Sequence, residues 1–110
     1  ASPYAHLRQL VVSGTLGADD PEVEIVSADP VGRVRELKAE GGLDIYLAGG
    51  AALAGALADE IDELVIKLYP VLAGTGVPLF SGAHFGPRAL ERVGATPFDS
   101  GHMIIEYRCR

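Results

Sequence analysis

Apolar positions recur along this chain in short runs, each closed by glycine, proline or a polar pair. Leu7–Gly14, LRQLVVSG, holds a β-branched run ended by Ser-Gly and predicts a buried strand. The polar TLGADDPE predicts a turn, and VEIVS, Val23–Ser27, a second short strand. Asp29 then offers an N-cap and Pro30 a first helical position, so a helix is expected from Pro30 to Glu40. Val31, Val34 and Leu37 give that helix one apolar stripe. Gly41-Gly42 ends it, because glycine accepts the left-handed conformation of a helix C-terminus.

LDIYLA, Leu43–Ala48, predicts a third strand, and the alanine-rich segment after Gly49-Gly50 a second helix. Leu53, Leu57 and Ile61 fall on one face of that helix, and small residues keep the rest slim enough to pack close against a sheet. DELVIKLYPVL predicts a fourth strand ending near Pro70, since proline cannot donate to a ladder. The glycine-rich loop AGTGVPLF follows. RALERVGATPF and HMIIEYRCR, joined by DSG, predict an antiparallel hairpin. The order strand–strand–helix–strand–helix–strand–loop–strand–strand indicates an α/β chain with a mixed sheet, helical crossovers first and a hairpin last. No repeat or linker marks a second domain among the 110 residues.

The formal net charge is -6, and the densest group of Lys and Arg, Arg33, Arg35 and Lys38, is interspersed with Glu36 and Glu40. That balance argues against nucleic acid and against an anionic membrane surface. It leaves open a phosphate-bearing small molecule, which backbone amides hold without side-chain charge. No run approaches the ~20 apolar residues of a membrane span, and the opening ASPYAHLRQL lacks the charged n-region of a secretory signal. A soluble cytoplasmic protein is expected.

Among candidate sites Gly49-Gly50 comes first. Glycines between a strand end and a helix start let a phosphate approach the helix amides, although a tight turn with close helix–sheet packing explains the same residues. Gly74-Thr75-Gly76 has no third glycine at the right spacing and reads as a surface loop. Asp59, Glu60, Asp62 and Glu63 form the densest acidic cluster and read as a solvated turn. His6, His84 and His102 are scattered, Cys109 is the one cysteine, and no metal site is expected. Lys67 lies inside an apolar strand, on one face with Val65 and Tyr69, and either reaches a pocket or snorkels to the surface. No serine sits in a G-x-S-x-G elbow.

Three segments together resemble the dihydrofolate reductase-like superfamily, above all the C-terminal reductase domain of the bacterial riboflavin-biosynthesis bifunctional protein and its stand-alone relatives. They are LVVSGTL at Leu10–Leu16, LKAEGGLDIYLAGGAALAGAL at Leu37–Leu57 and DELVIKLYPVLAGTGVPLF at Asp62–Phe80. The resemblance implies an NADPH-dependent reductase acting on an aminopyrimidine-ribosyl or pterin substrate. It carries over Gly49, Gly50, Ala51, Ala52 and Leu53 as positions at the cofactor pyrophosphate. Ser13 and Thr15 carry over as neighbours of the adenosine 2′-phosphate. Lys67, singled out by its place in an apolar strand and not by the resemblance, is the candidate substrate contact. The alternative is a non-catalytic nucleotide-binding or assembly module that keeps the fold.

Two departures from the family pattern bear on the cofactor. Gly14 stands where relatives often carry a basic residue, and Ala51 where they often carry a third glycine. The family also begins with further strands and a helix that hold most substrate-binding groups. The 110 residues are therefore expected to be the C-terminal portion of one reductase domain, with the strands at Ile45–Ala48 and Leu64–Tyr69 lacking the neighbour between them. A homodimer is the other expected means of completing the sheet. No catalytic residue is assigned.

Overall fold

Asp29 and Pro30 start the first helix where the sequence places it. The computed structural model describes residues 6–17 and 23–110, so the expected turn at 15–22 lies partly outside the described residues. The chain divides into two compact units, Ala1–Gly49 and Gly50–Arg110.

In the first unit β1 (Gln9–Val12) and β2 (Val23–Val26) pair in parallel, from Gln9 opposite Val23 to Val12 opposite Val26. The Ser13 amide extends the ladder by donating to the Val26 carbonyl at 3.0 Å. Helix α1 spans Pro30–Glu40. Its cap, Asp29, adopts a left-handed conformation with φ 49°, and its carboxylate accepts the Gly32 amide at 3.1 Å. Asp is one of the few non-glycine residues that tolerate this region, because its side chain bonds the local backbone. Val31, Val34 and Leu37 are the half-buried stripe that their spacing predicts. Gly41, at φ 76°, ends the helix, and its amide donates to the Lys38 carbonyl at 3.3 Å.

An ion-pair network braces α1 against β2. The Arg33 guanidinium donates to both carboxylate oxygens of Glu24, at 2.7 and 2.9 Å, and to Glu36 at 3.0 Å. Arg8 reaches Glu24 at 4.0 Å and Glu40 at 3.6 Å. The hydrogen bond from Arg33 holds the Glu24 carboxyl below the usual 4.5 of a glutamate. Glu24 correspondingly raises Arg33 further above its already high value. A carboxyl depressed on folding contributes stability above its unfolded pKa, and that contribution is lost as pH falls through the folded value. Protection of the α1 amides in hydrogen exchange should therefore fall as pH drops below the ordinary glutamate value of 4.5. Glu24→Gln should be less protected above that value and show a shallower fall. Equal slopes in the two proteins would place the acid sensitivity elsewhere.

The segment 43–48 corrects the expectation of a third strand. No strand forms there, and Leu43, Ile45 and Tyr46 are 98%, 51% and 88% exposed. Local β-propensity is weak and depends on context, whereas a strand exists by pairing its amides and carbonyls with a neighbour. Among the described residues 43–48 has no ladder partner.

The second unit opens with α2 (Ala51–Ala56) and a 3-10 turn over Ala58–Glu60. The α-helix thus stops before Ile61, the third member of the expected apolar face. Asp59 and Glu60 are unfavourable beside a helix C-terminus, whose partial charge is negative. The Arg88 guanidinium instead donates to the Ala58 carbonyl at 2.8 Å, within this turn. Then come β3 (Glu63–Leu68), β4 (Leu90–Pro97) and β5 (Met103–Cys109), ordered β3-β5-β4 and antiparallel. Both parallel and antiparallel pairing are present, as a mixed α/β fold requires, but in two separate sheets. The hairpin closes at DSG, where the Phe98 amide meets the His102 carbonyl at 2.9 Å and Gly101 takes φ 93°. Among the described residues only Val26 in the first unit and Leu57 in the second are apolar and buried. Leu64, Ile66, Met103 and Ile105 are half-buried.

Candidate functional site

The two adjacent glycines play different parts. Gly49 takes φ 135°, a conformation closed to other residues without strain. Gly50 is extended, with φ -110° and ψ -157°, and is the N-cap of α2. A Cβ built on either glycine meets nothing within 4 Å. No side chain caps α2, and the first intrahelical bond runs from the Ala54 amide to the Gly50 carbonyl at 2.9 Å. The amides of Ala51, Ala52 and Leu53 therefore precede the helix's own hydrogen bonding. Close backbone approach occurs one turn later, at Gly55, where a Cβ would overlap the Ser81 carbonyl oxygen.

Ser13 and Thr15 lie in the turn after β1. The Ser13 hydroxyl oxygen accepts the amides of Thr15 at 3.3 Å and Leu16 at 3.1 Å. Gly14 between them faces open space. Lys67 sits on the exposed face of β3, opposite Ile104, with Val65 two residues away and 62% exposed. Of the acidic cluster, Asp59 and Glu60 lie in the 3-10 turn and Glu63 opens β3.

One feature was invisible to sequence reasoning. A crevice of about 290 Å³ opens at the C-terminal end of β2, lined among others by Glu24, Asp29, Arg33 and Glu36. The Arg33–Glu36 contact has helical i,i+3 spacing and is readable in a sequence. The Arg33–Glu24 pair spans nine positions and two elements, and no local pattern announces it.

The family model described as the RibD C-terminal domain matches residues 5–104. The chain belongs to that family. This RibD C-terminal domain is 35% identical over 81 residues to the uncharacterized protein YwjB of Bacillus subtilis, covering 71% of the chain and 47% of YwjB. It is 30% identical over 102 residues to the uncharacterized protein YyaP of the same organism, covering 91% of the chain and 54% of YyaP. The chain thus spans about half the length of the curated relatives it matches. Among solved structures it is similar to a putative riboflavin biosynthesis protein from Shewanella sp. PV-4, with TM-score 0.73, 25% identity and 92% of this chain against 59% of that one. It also shares the fold of a diaminohydroxyphosphoribosylaminopyrimidine deaminase/5-amino-6-(5-phosphoribosylamino)uracil reductase from Thermotoga maritima, with TM-score 0.70, 21% identity, and 94% and 31% of the two chains covered. The fold is therefore that of the RibD-type, dihydrofolate reductase-like reductases, as the three segments imply. No helix among the described residues is long and apolar enough to cross a membrane.

Proposed function

We propose that this chain forms the dinucleotide-holding part of a reductase that uses NADPH, the cofactor to which the family resemblance points. The open glycine pair ahead of α2, in a chain of this family, carries the reading. Gly49 and Gly50 leave clearance for a pyrophosphate, and the amides of Ala51, Ala52 and Leu53 are free of intrahelical duty. The residues present therefore fit the group. The family resemblance assigns Ser13 and Thr15 to the adenosine end of the cofactor. When bound, the nicotinamide supplies a hydride, and the protein's part is to hold and orient it.

The substrate in this reading is an aminopyrimidine-ribosyl compound, as in the name of the Thermotoga maritima protein, or a pterin. Lys67 is the candidate contact, an exposed cation among apolar neighbours on β3. No general acid is assigned among these residues. Titrating the full-length protein with NADPH, following cofactor fluorescence, should give a dissociation constant in the micromolar range. Absence of binding would favour the alternative, a non-catalytic module that keeps the fold for assembly.

A further inference from the structure

We propose that Tyr69, His102 and Phe98 form an open platform for a flat heteroaromatic ring, with Lys67 beside them as partner of an anionic group on the same ligand. This rests on the reductase reading above and names the residues that receive its substrate. All four belong to the second unit.

The register of the three strands sets the row. Met103 stands opposite Leu68 on one side and Pro97 on the other, so His102 falls between Tyr69 and Phe98. The Phe98 amide donates to the His102 carbonyl at 2.9 Å, which extends the ladder to that level. Residues directly opposite each other in an antiparallel pair share a face. The Tyr69 and His102 rings meet edge to face, with centroids 4.7 Å apart and planes at 69°. Three rings thus lie abreast across one end of the sheet. Tyr69 and Phe98 are 56% and 47% exposed, and His102 is exposed too. Aromatic rings gain by burying their faces, and a row of them left open on a sheet is how sheets hold planar bases.

The row is also ordered in advance. The Ser100 hydroxyl and His102 Nδ1 are hydrogen-bonded at 2.8 Å, which fixes the imidazole. The turn that carries Ser100 sits on Pro70, since a Cβ at Gly101 would lie 3.2 Å from that proline's side chain. Such ordering lowers the entropy cost of binding.

Strand alternation puts Lys67 on the same face, two residues or roughly 7 Å before Tyr69, in a row with Ile104 and Thr96. Among the described residues Lys67 has no ion-pair partner. Glu106, in the next row, leans the other way, over Gly94 of β4, where an added Cβ would come 2.7 Å from its Oε2. A single uncompensated ammonium suits one phosphate or carboxylate. It does not suit a polyanion, which the formal net charge of -6 opposes as well. Two ligands share this chemistry: a ribosylaminopyrimidine with a 5′-phosphate and a pterin with a carboxylate tail.

The test is calorimetric titration of the full-length protein with 5-amino-6-(5-phosphoribosylamino)uracil and with dihydrofolate. Each is run beside an uncharged counterpart, the dephosphorylated compound and dihydrobiopterin. One charged compound should bind, and which one does identifies the anion. Phe98→Ala and Phe98→Leu should each weaken it roughly tenfold, the scale of one lost stacking contact, and Phe98→Tyr should bind like the parent. Lys67→Gln should cost the charged compound roughly tenfold and leave its uncharged counterpart unchanged. Each variant should keep the parent's affinity for NADPH, which checks that it is folded. Ligand affinity indifferent to Phe98→Ala and Lys67→Gln, or binding of neither charged compound by a protein that binds NADPH, would overturn the platform and leave the reductase reading intact. A parent protein that binds no NADPH would overturn that reading itself.

Discussion

Gly50→Val should weaken dinucleotide binding on the order of a hundredfold, the scale of two charge-assisted hydrogen bonds lost together. Gly50 is extended, a conformation valine adopts readily, and nothing lies within 4 Å of the added Cβ. The substitution therefore clashes with nothing, costs α2 only the difference between a glycine and a valine N-cap, and occupies the space before the first turn of α2. Gly49→Ala makes the useful contrast. At φ 135° an added Cβ is strained whatever the room around it, and such strain costs about 1–3 kcal/mol. Affinity measured beside a thermal melt separates the two effects. Gly50→Val should bind poorly and melt close to the parent, whereas Gly49→Ala should keep more of its affinity and melt lower. A Gly50→Val protein that keeps both its melt and its affinity would take the glycine pair out of the site.

Features set by neighbouring residues were legible in the sequence, and features set by distant ones were not. Helix α1 begins at Pro30 and ends at Glu40 because Asp29, Pro30 and Gly41 act on their own backbone. The terminal hairpin is likewise local, with alternating strands around DSG. The segment 43–48 has as strong a strand composition as β3, yet it stays unpaired because pairing requires a second segment. The 3-10 turn after α2 receives a hydrogen bond that no local pattern announces, from the Arg88 guanidinium to the Ala58 carbonyl. In the candidate site the sequence marks the glycines without sorting them. Gly49 serves a backbone angle, Gly50 faces clear space and Gly55 serves a close approach, and only coordinates distinguish these three roles.

The role of Gly55 leads to the largest stability effect. Gly55 lies inside α2, where helix propensity alone favours alanine by about 1 kcal/mol. Opposing this, a Cβ at Gly55 would overlap the Ser81 carbonyl oxygen, a backbone atom with no rotamer by which to withdraw. The same Ser81 donates its amide to the Ala51 carbonyl at 3.1 Å, so the segment is also tied to α2 by a hydrogen bond one turn away on the same face. Overpacking of this kind costs about 1–3 kcal/mol and occasionally more. Gly55→Ala should therefore destabilise by up to about 2 kcal/mol despite its better propensity. Gly55→Val, larger and β-branched, should lose about 3 kcal/mol or more. Urea unfolding of the full-length protein reads both as lower midpoints at an unchanged slope. An alanine variant more stable than the parent would mean that Ser81 yields cheaply and that propensity decides this position.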